Sequence, residues 1–220
     1  MNQTHHEAVV LADAGAIVRD LAAVIVENRA WLSEIDGAIG DGDHGINMAK
    51  GFTAAAAALG EPPPPLPDAL DILGNTLLVD IGGSTGPLYG SFFLDMAEAM
   101  RASPLLDAAA FARALHAGLA AVQGIGEATP GDKTLLDALV PAIAAYDEAC
   151  TCGDDFPAAL DALVTAATQG RDATRGMIAR VGRASRLGER SRGVLDAGAA
   201  SCCLLLQALA AGLRARLARG

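Results

Sequence analysis

Apolar residues recur with a helical period along most of the chain. Ile17, Leu21, Val24, Asn28, Leu32 and Ile35 follow one another at steps of four, three, four, four and three. That spacing marks one face of a first helix of five or more turns, ending near Asp36. Further helices are predicted over residues 44–59 and 68–79. Another opens at Pro87, with Leu88, Phe92, Met96 and Ala99 on its buried face, and more follow over 107–123, 133–150 and 156–181. A last helix after Gly198 carries Cys202, Leu206, Leu209, Leu213 and Leu217 along one side. The few β-branched residues do not alternate, so the expectation is an all-α chain of eight helices. Between the second and third helices, Glu61-Pro-Pro-Pro-Pro-Leu-Pro67 cannot continue a helix and forms a stiff spacer.

Composition supports this reading and narrows it. Aromatic residues make up 4% of the 220 positions, and the small, alanine-rich helices this implies bury their surface by close approach in one continuous core. A single domain over residues 1–220 is expected. The formal charge of −10 and the absence of a Lys/Arg stripe exclude nucleic acid as a partner. Mean hydropathy is positive, at +0.33. The most apolar run, 197–213, nevertheless contains Ser201 and Gln207 and falls short of the roughly 20 residues of a membrane span, so it reads as a buried helix. Residues Met1 to Glu7 lack a basic segment followed by an apolar one, which points to the cytoplasm. Cys150 and Cys152, and Cys202 and Cys203, lack zinc or redox spacing and are expected to be free thiols.

The chemistry is concentrated between helices. Asp36-Gly-Ala-Ile-Gly-Asp-Gly-Asp-His-Gly-Ile-Asn-Met48 holds three carboxylates, four glycines, a His and an Asn. Asp36, Asp41 and Asp43 would repel one another if they converged bare, so convergence calls for a hard divalent cation such as Mg²⁺, which is usually shared with nucleotide phosphates. An EF-hand fails, because its third, fifth and twelfth positions counted from Asp36 are Ala38, Gly40 and Asn47. A plain Asp/Gly turn competes.

Three other segments carry ligand-like residues. Asp80-Ile-Gly-Gly-Ser-Thr-Gly-Pro87 offers open backbone and the Ser84 and Thr85 hydroxyls at a helix N-terminus, where phosphate is favoured; an ordinary helix cap is the alternative. Gly126-Glu-Ala-Thr-Pro-Gly-Asp-Lys-Thr134 approaches a P-loop, but Asp132 interrupts it and no strand precedes it. The run from Gly182 to Gly193 holds Arg183, Arg186, Arg190 and Arg192, suited to phosphate unless it is simply a solvated turn. In an up-and-down antiparallel arrangement these four loops, after helices 1, 3, 5 and 7, emerge at one end. The opposite loops, 60–67, 102–107 and 151–156, hold turn residues and Pro.

The motifs Ile39-Gly-Asp-Gly-Asp-His-Gly-Ile-Asn-Met48, Gly82-Gly-Ser-Thr-Gly-Pro-Leu-Tyr-Gly90, Pro130-Gly-Asp-Lys-Thr-Leu-Leu-Asp137 and Gly182-Arg-Ala-Ser-Arg-Leu-Gly-Glu-Arg-Ser191 resemble, in order and over nearly the whole chain, the nucleotide-binding L subunit of bacterial dihydroxyacetone kinases. The resemblance implies an eight-helix antiparallel barrel that binds ADP or ATP with two Mg²⁺ ions. By motif it assigns Asp36, Asp41 and Asp43 to the metal. It assigns His44, Gly45, Ile46, Asn47, Gly82, Gly83, Ser84, Thr85, Gly126, Leu135, Arg183, Asp196, Ala197 and Gly198 to the nucleotide. The family often has Asp-Pro-Gly where this chain has Asp196-Ala197-Gly198, and Ala or Ser at Thr85. It implies a glycerone kinase that works with a dihydroxyacetone-binding K subunit and a phosphohistidine-bearing M subunit, with a homodimer left open. The alternatives are an ATP-dependent kinase for another ketose or a tetrulose, and a non-catalytic helical scaffold.

Overall fold

The structure, a computed structural model, describes residues 7–217, so the reading of residues 1–6 lies outside it. Nine α-helices occur among the described residues: α1 (Ile17–Glu27), α2 (Arg29–Ile39), α3 (His44–Ala58), α4 (Leu66–Asp80), α5 (Thr85–Met100), α6 (Ala108–Ile125), α7 (Leu136–Cys152), α8 (Phe156–Ala173) and α9 (Ala197–Arg214). The expected first helix is broken at Asn28, which leaves helical geometry at ψ 8° and turns its side-chain amide onto the Val24 carbonyl at 2.8 Å. That local bond competes with the helical ladder. Because α1 and α2 both pack on α3 and α9, they act as one kinked rod, and the count of eight rods stands. The expected seventh helix runs too long. α8 ends at Ala173, a 3₁₀ turn covers Thr174–Gly176, and Met177 is extended.

Each rod packs on the next in sequence, and α9 returns to α1, which closes an up-and-down helical barrel. Several helix starts follow from sequence: Asp107, Asp155 and Asp196 cap α6, α8 and α9 by accepting the amides of Ala110, Ala158 and Ala199. The core is one contiguous apolar cluster that includes the edge-to-face pair of Phe111 and Tyr146, whose ring centroids lie 5.4 Å apart. Close approach depends on small residues. A Cβ on Gly74 of α4 would come 2.8 Å from the Gly90 carbonyl oxygen of α5, so the two helices touch backbone to backbone. The apolar stretch at 197–213 lies within α9, and 67% of its 18-residue window is buried in the barrel.

One end of the barrel is sealed. Two short strands there, β1 (Val9–Val10) and β2 (Leu105–Leu106), pair antiparallel, and Val9 also bridges to Leu217. The Pro64 carbonyl presses on Gly15, where a Cβ would stand 1.8 Å away, and Arg19 ties the same loop by contacts to Gly60 and Glu61. The other end stays open.

Candidate functional site

At the open end, the connections that follow α2, α4, α6 and α8 surround a cavity of about 790 Å³. That volume suits a ligand of nucleotide size. The cavity has a polar and an apolar side, each built from different loops.

The acidic side comes from the turn between α2 and α3. Asp36 lies in the last turn of α2, against the negative end of the helix dipole, and its carboxylate accepts the His44 amide at 3.2 Å. Asp36, Asp41 and Asp43 each present one oxygen, all within 4.8 Å of one another. Such a set demands positive charge. Arg183 provides it here: its guanidinium bonds Asp41 and lies 3.8 Å from Asp43. One guanidinium against three carboxylates leaves two negative charges, and such a cluster of oxygen donors fits a hard divalent ion such as Mg²⁺.

Beside it, Gly82, Gly83, Ser84 and Thr85 lead into α5, with Gly83 at φ +71°. Ser84 occupies the cap position of α5 without a side-chain capping bond, so the plain-cap alternative is not what this segment does. All four residues line the cavity, and the free amides of a helix start together with two hydroxyl side chains are a donor set suited to phosphate. Leu88, Val122, Ile125 and Leu135 supply the apolar part of the lining. Gly126 also lines the cavity, with no atom within 4 Å of where a Cβ would be. Asp196, Ala197 and Gly198 complete the lining at the start of α9.

Two of the expected nucleotide positions lie off the cavity. Gly45 is buried between helices, where a Cβ would meet the Arg29 carbonyl oxygen at 2.1 Å, so glycine serves the packing of α3 on α2. Ile46, the next residue round the helix, is 50% exposed on the outer surface. His44 and Asn47 line the cavity.

Beneath the lining is a network that local sequence does not announce. Fully buried Ser201 of α9 stands 2.7 Å from the Tyr89 hydroxyl and 2.9 Å from His44 Nε2, and Tyr89 donates to the Gly198 carbonyl at 3.1 Å. It joins α3, α5 and α9 under the site. Burial lowers the His44 pKa despite nearby Asp36, which favours the neutral ring. Burial likewise pushes the Asp196 carboxyl up to about 7, opposed by the Ala199 amide that it accepts at 2.7 Å. The sole signal for Ser201 is a hydroxyl inside an apolar run. Asp137 is another residue missed: it is 5% exposed and gathers the Gly131 and Thr134 amides, which shapes the loop before α7.

Comparison with known proteins adds four findings. The DAK2 domain pattern matches residues 38–211. The ADP-binding subunit DhaL of PEP-dependent dihydroxyacetone kinase 1 from Listeria innocua is 38% identical over 193 residues, which cover 87% of this chain and 91% of that one. The corresponding Escherichia coli subunit is 38% identical over 185 residues, 82% of this chain and 86% of its own. Among solved structures, the dihydroxyacetone kinase of C. freundii in complex with AMP-PNP and Mg²⁺ superposes with a TM-score of 0.70 at 26% identity, over 96% of this chain. The chain spans 36% of that larger polypeptide.

Proposed function

The chain belongs to the DAK2 domain family, and on that premise we propose that it is the nucleotide-carrying subunit of a dihydroxyacetone kinase, a phosphotransferase that acts with partner subunits. The observation that carries this reading is the meeting of four alternate loops around one cavity, with three carboxylate oxygens within 4.8 Å of one another on its acidic side. Its ligands are ADP or ATP and Mg²⁺.

Residue roles follow from position. Asp36, Asp41 and Asp43 would hold two Mg²⁺ ions. When bound, the metal supplies charge neutralisation of the phosphate oxygens. Ser84, Thr85 and the first amides of α5 donate to phosphate, with Gly82 and Gly83 letting it come close. The apolar part of the lining, with Gly126 and Leu135, takes the base. Arg183 turns from Asp41 toward phosphate, and Asp196, Ala197 and Gly198 bound the cavity floor. The groups assigned here bind metal and phosphate rather than attack, so their contribution to γ-phosphoryl transfer is positioning and electrostatic stabilisation. The acceptor hydroxyl comes from dihydroxyacetone on a K-type partner. Bound ADP is retained and rephosphorylated by a phosphohistidine on an M-type partner. A cytoplasmic location agrees with this assembly.

Calorimetry with ADP and ATP, with and without Mg²⁺, tests the reading. Binding should require the cation. Asp41→Ala should abolish metal-dependent binding while the thermal transition moves by no more than the usual ±0.5 kcal/mol of a surface change, roughly 1–2 °C for a chain of this size. Tight nucleotide binding by metal-free Asp41→Ala would refute it. A panel of triose and tetrose acceptors, assayed with the native partners, then identifies the acceptor.

A further inference from the structure

The chain contains two lysines, Lys50 and Lys133. Lys133 is 2% exposed and is the one non-glycine residue among those described with a positive φ, +64°. An ammonium group has three protons to donate. Here three backbone carbonyls accept them: Met177 at 3.3 Å, Val194 at 2.7 Å, and Ser191. Its sequence position, just after Gly131 and Asp132, would suit a phosphate-binding lysine. Lys133 does line the cavity, but all three of its ammonium protons go to backbone carbonyls, so none is left for a phosphate.

The three acceptors share a location. Met177 precedes, and Ser191 and Val194 close, the segment 178–193 that carries Arg183 to the carboxylates. Gly182 at φ +69° and Gly193 at φ +96° provide bends within this flap. Weaker ties surround the same roots: the Arg180 amide donates to the Asp132 carbonyl at 3.1 Å, Gly193 to Arg175 at 2.8 Å, and Ala179 to the Ser191 hydroxyl at 2.9 Å. Between the roots the segment is largely exposed, Arg183, Arg186 and Arg190 included. A cation buried among carbonyls costs desolvation, which lowers its pKa, and such groups are tolerated where they fix one arrangement.

We infer that Lys133 is a positioning residue: its ammonium pins both roots of the arginine flap, so that Arg183 stands over the metal carboxylates and the mouth of the nucleotide cavity. The part of this inference that concerns nucleotide rests on the function proposed above. The part that concerns the flap does not.

The test compares the full-length protein with Lys133→Met and Lys133→Arg. Limited trypsin digestion reads the flap directly, through cleavage after Arg183, Arg186, Arg190 and Arg192. Lys133→Met should be cut there at least ten-fold faster, with amide protection lost at 178–193 and retained in α1 to α9. Its dissociation constant for ADP with Mg²⁺ should rise about ten-fold. Lys133→Arg, which keeps the charge and donors, should recover most of both. In the wild type an amine-reactive ester should label Lys50 and spare Lys133.

Flap cleavage at the wild-type rate in Lys133→Met, or protection lost evenly across the helices, would overturn the inference. So would labelling of wild-type Lys133 as fast as Lys50, a measurement that decides the matter even if Lys133→Met does not fold. Absence of nucleotide binding in the wild type would instead count against the functional reading, while the flap measurements still judge the clamp.

Discussion

Replacing Arg183 with Ala should change two affinities in opposite directions. Its guanidinium sits on Asp41 and 3.8 Å from Asp43, where a cation is demanded. The two partners are well exposed, with side-chain accessibilities of 61% and 44%, so solvent screens the pair and it is worth about 0.2–1 kcal/mol. Removing this competitor should therefore tighten binding of Mn²⁺, used alone as a spectroscopic substitute for Mg²⁺, by about 1.4- to 5-fold. The same residue borders the cavity, and a charge-assisted bond to phosphate is worth about 1.5–3 kcal/mol. Its loss should weaken binding of ADP with metal by about 10- to 150-fold. Mn²⁺ titration followed by electron paramagnetic resonance gives the first number, and calorimetry with ADP at saturating metal gives the second. Weaker Mn²⁺ binding, or an unchanged ADP constant, would refute the reasoning, because it would show that the guanidinium neither competes for the carboxylates nor meets phosphate.

Two further expectations concern the frame of the site. Gly45→Ala drives a methyl group into the Arg29 carbonyl and should cost about 1–3 kcal/mol in urea unfolding, whereas Gly126→Ala, with open space at its Cβ, should leave unfolding within about 0.5 kcal/mol of the parent. For Asp196, a folded pKa of about 7 against the ordinary 3.8 of an aspartate means the native state holds the proton longer. Its contribution to stability is therefore full below about pH 4 and is lost as pH rises toward 7, by at most about 1.4 kcal/mol per pH unit. Asp196→Asn keeps an acceptor for the Ala199 amide, so the melting temperature of the nucleotide-free protein should lose that slope; a slope unchanged in the variant would assign it to another group.

Much of the cavity lining could be read from sequence because its residues are locally incompatible with packed helix. Three aspartates among glycines at 36–43 have no core to enter, and counting alternate loops placed them with Ser84, Gly126 and Arg183. Where sequence failed, the deciding neighbour was distant. Ser201 meets Tyr89 and His44 across separations of 112 and 157 residues, so no period or motif could reveal the network. Lys133 was hidden in a near P-loop pattern whose failure made it look idle, and its acceptors lie 44 to 61 residues away. Gly45 belonged to a contact motif yet answers to the Arg29 carbonyl of the adjoining helix. The helical period ran through Asn28 and past Ala173 because apolar spacing persisted where the backbone did not. At Asn28 a side-chain amide took the carbonyl, and after Ala173 the chain tightened into a 3₁₀ turn.

The seal of β1, β2 and Leu217 also governs covalent reach. Val9 pairs with both Leu106 and Leu217, so the first and last described segments leave the barrel together, on the side away from the cavity. Any domain tethered to either end must come back along the barrel to meet the nucleotide. An 18-residue helix such as α9 is about 27 Å long, which an extended tether covers in about eight residues. Shorter tethers would leave a neighbouring domain facing the sealed end, and the open mouth would be served only by a separate molecule.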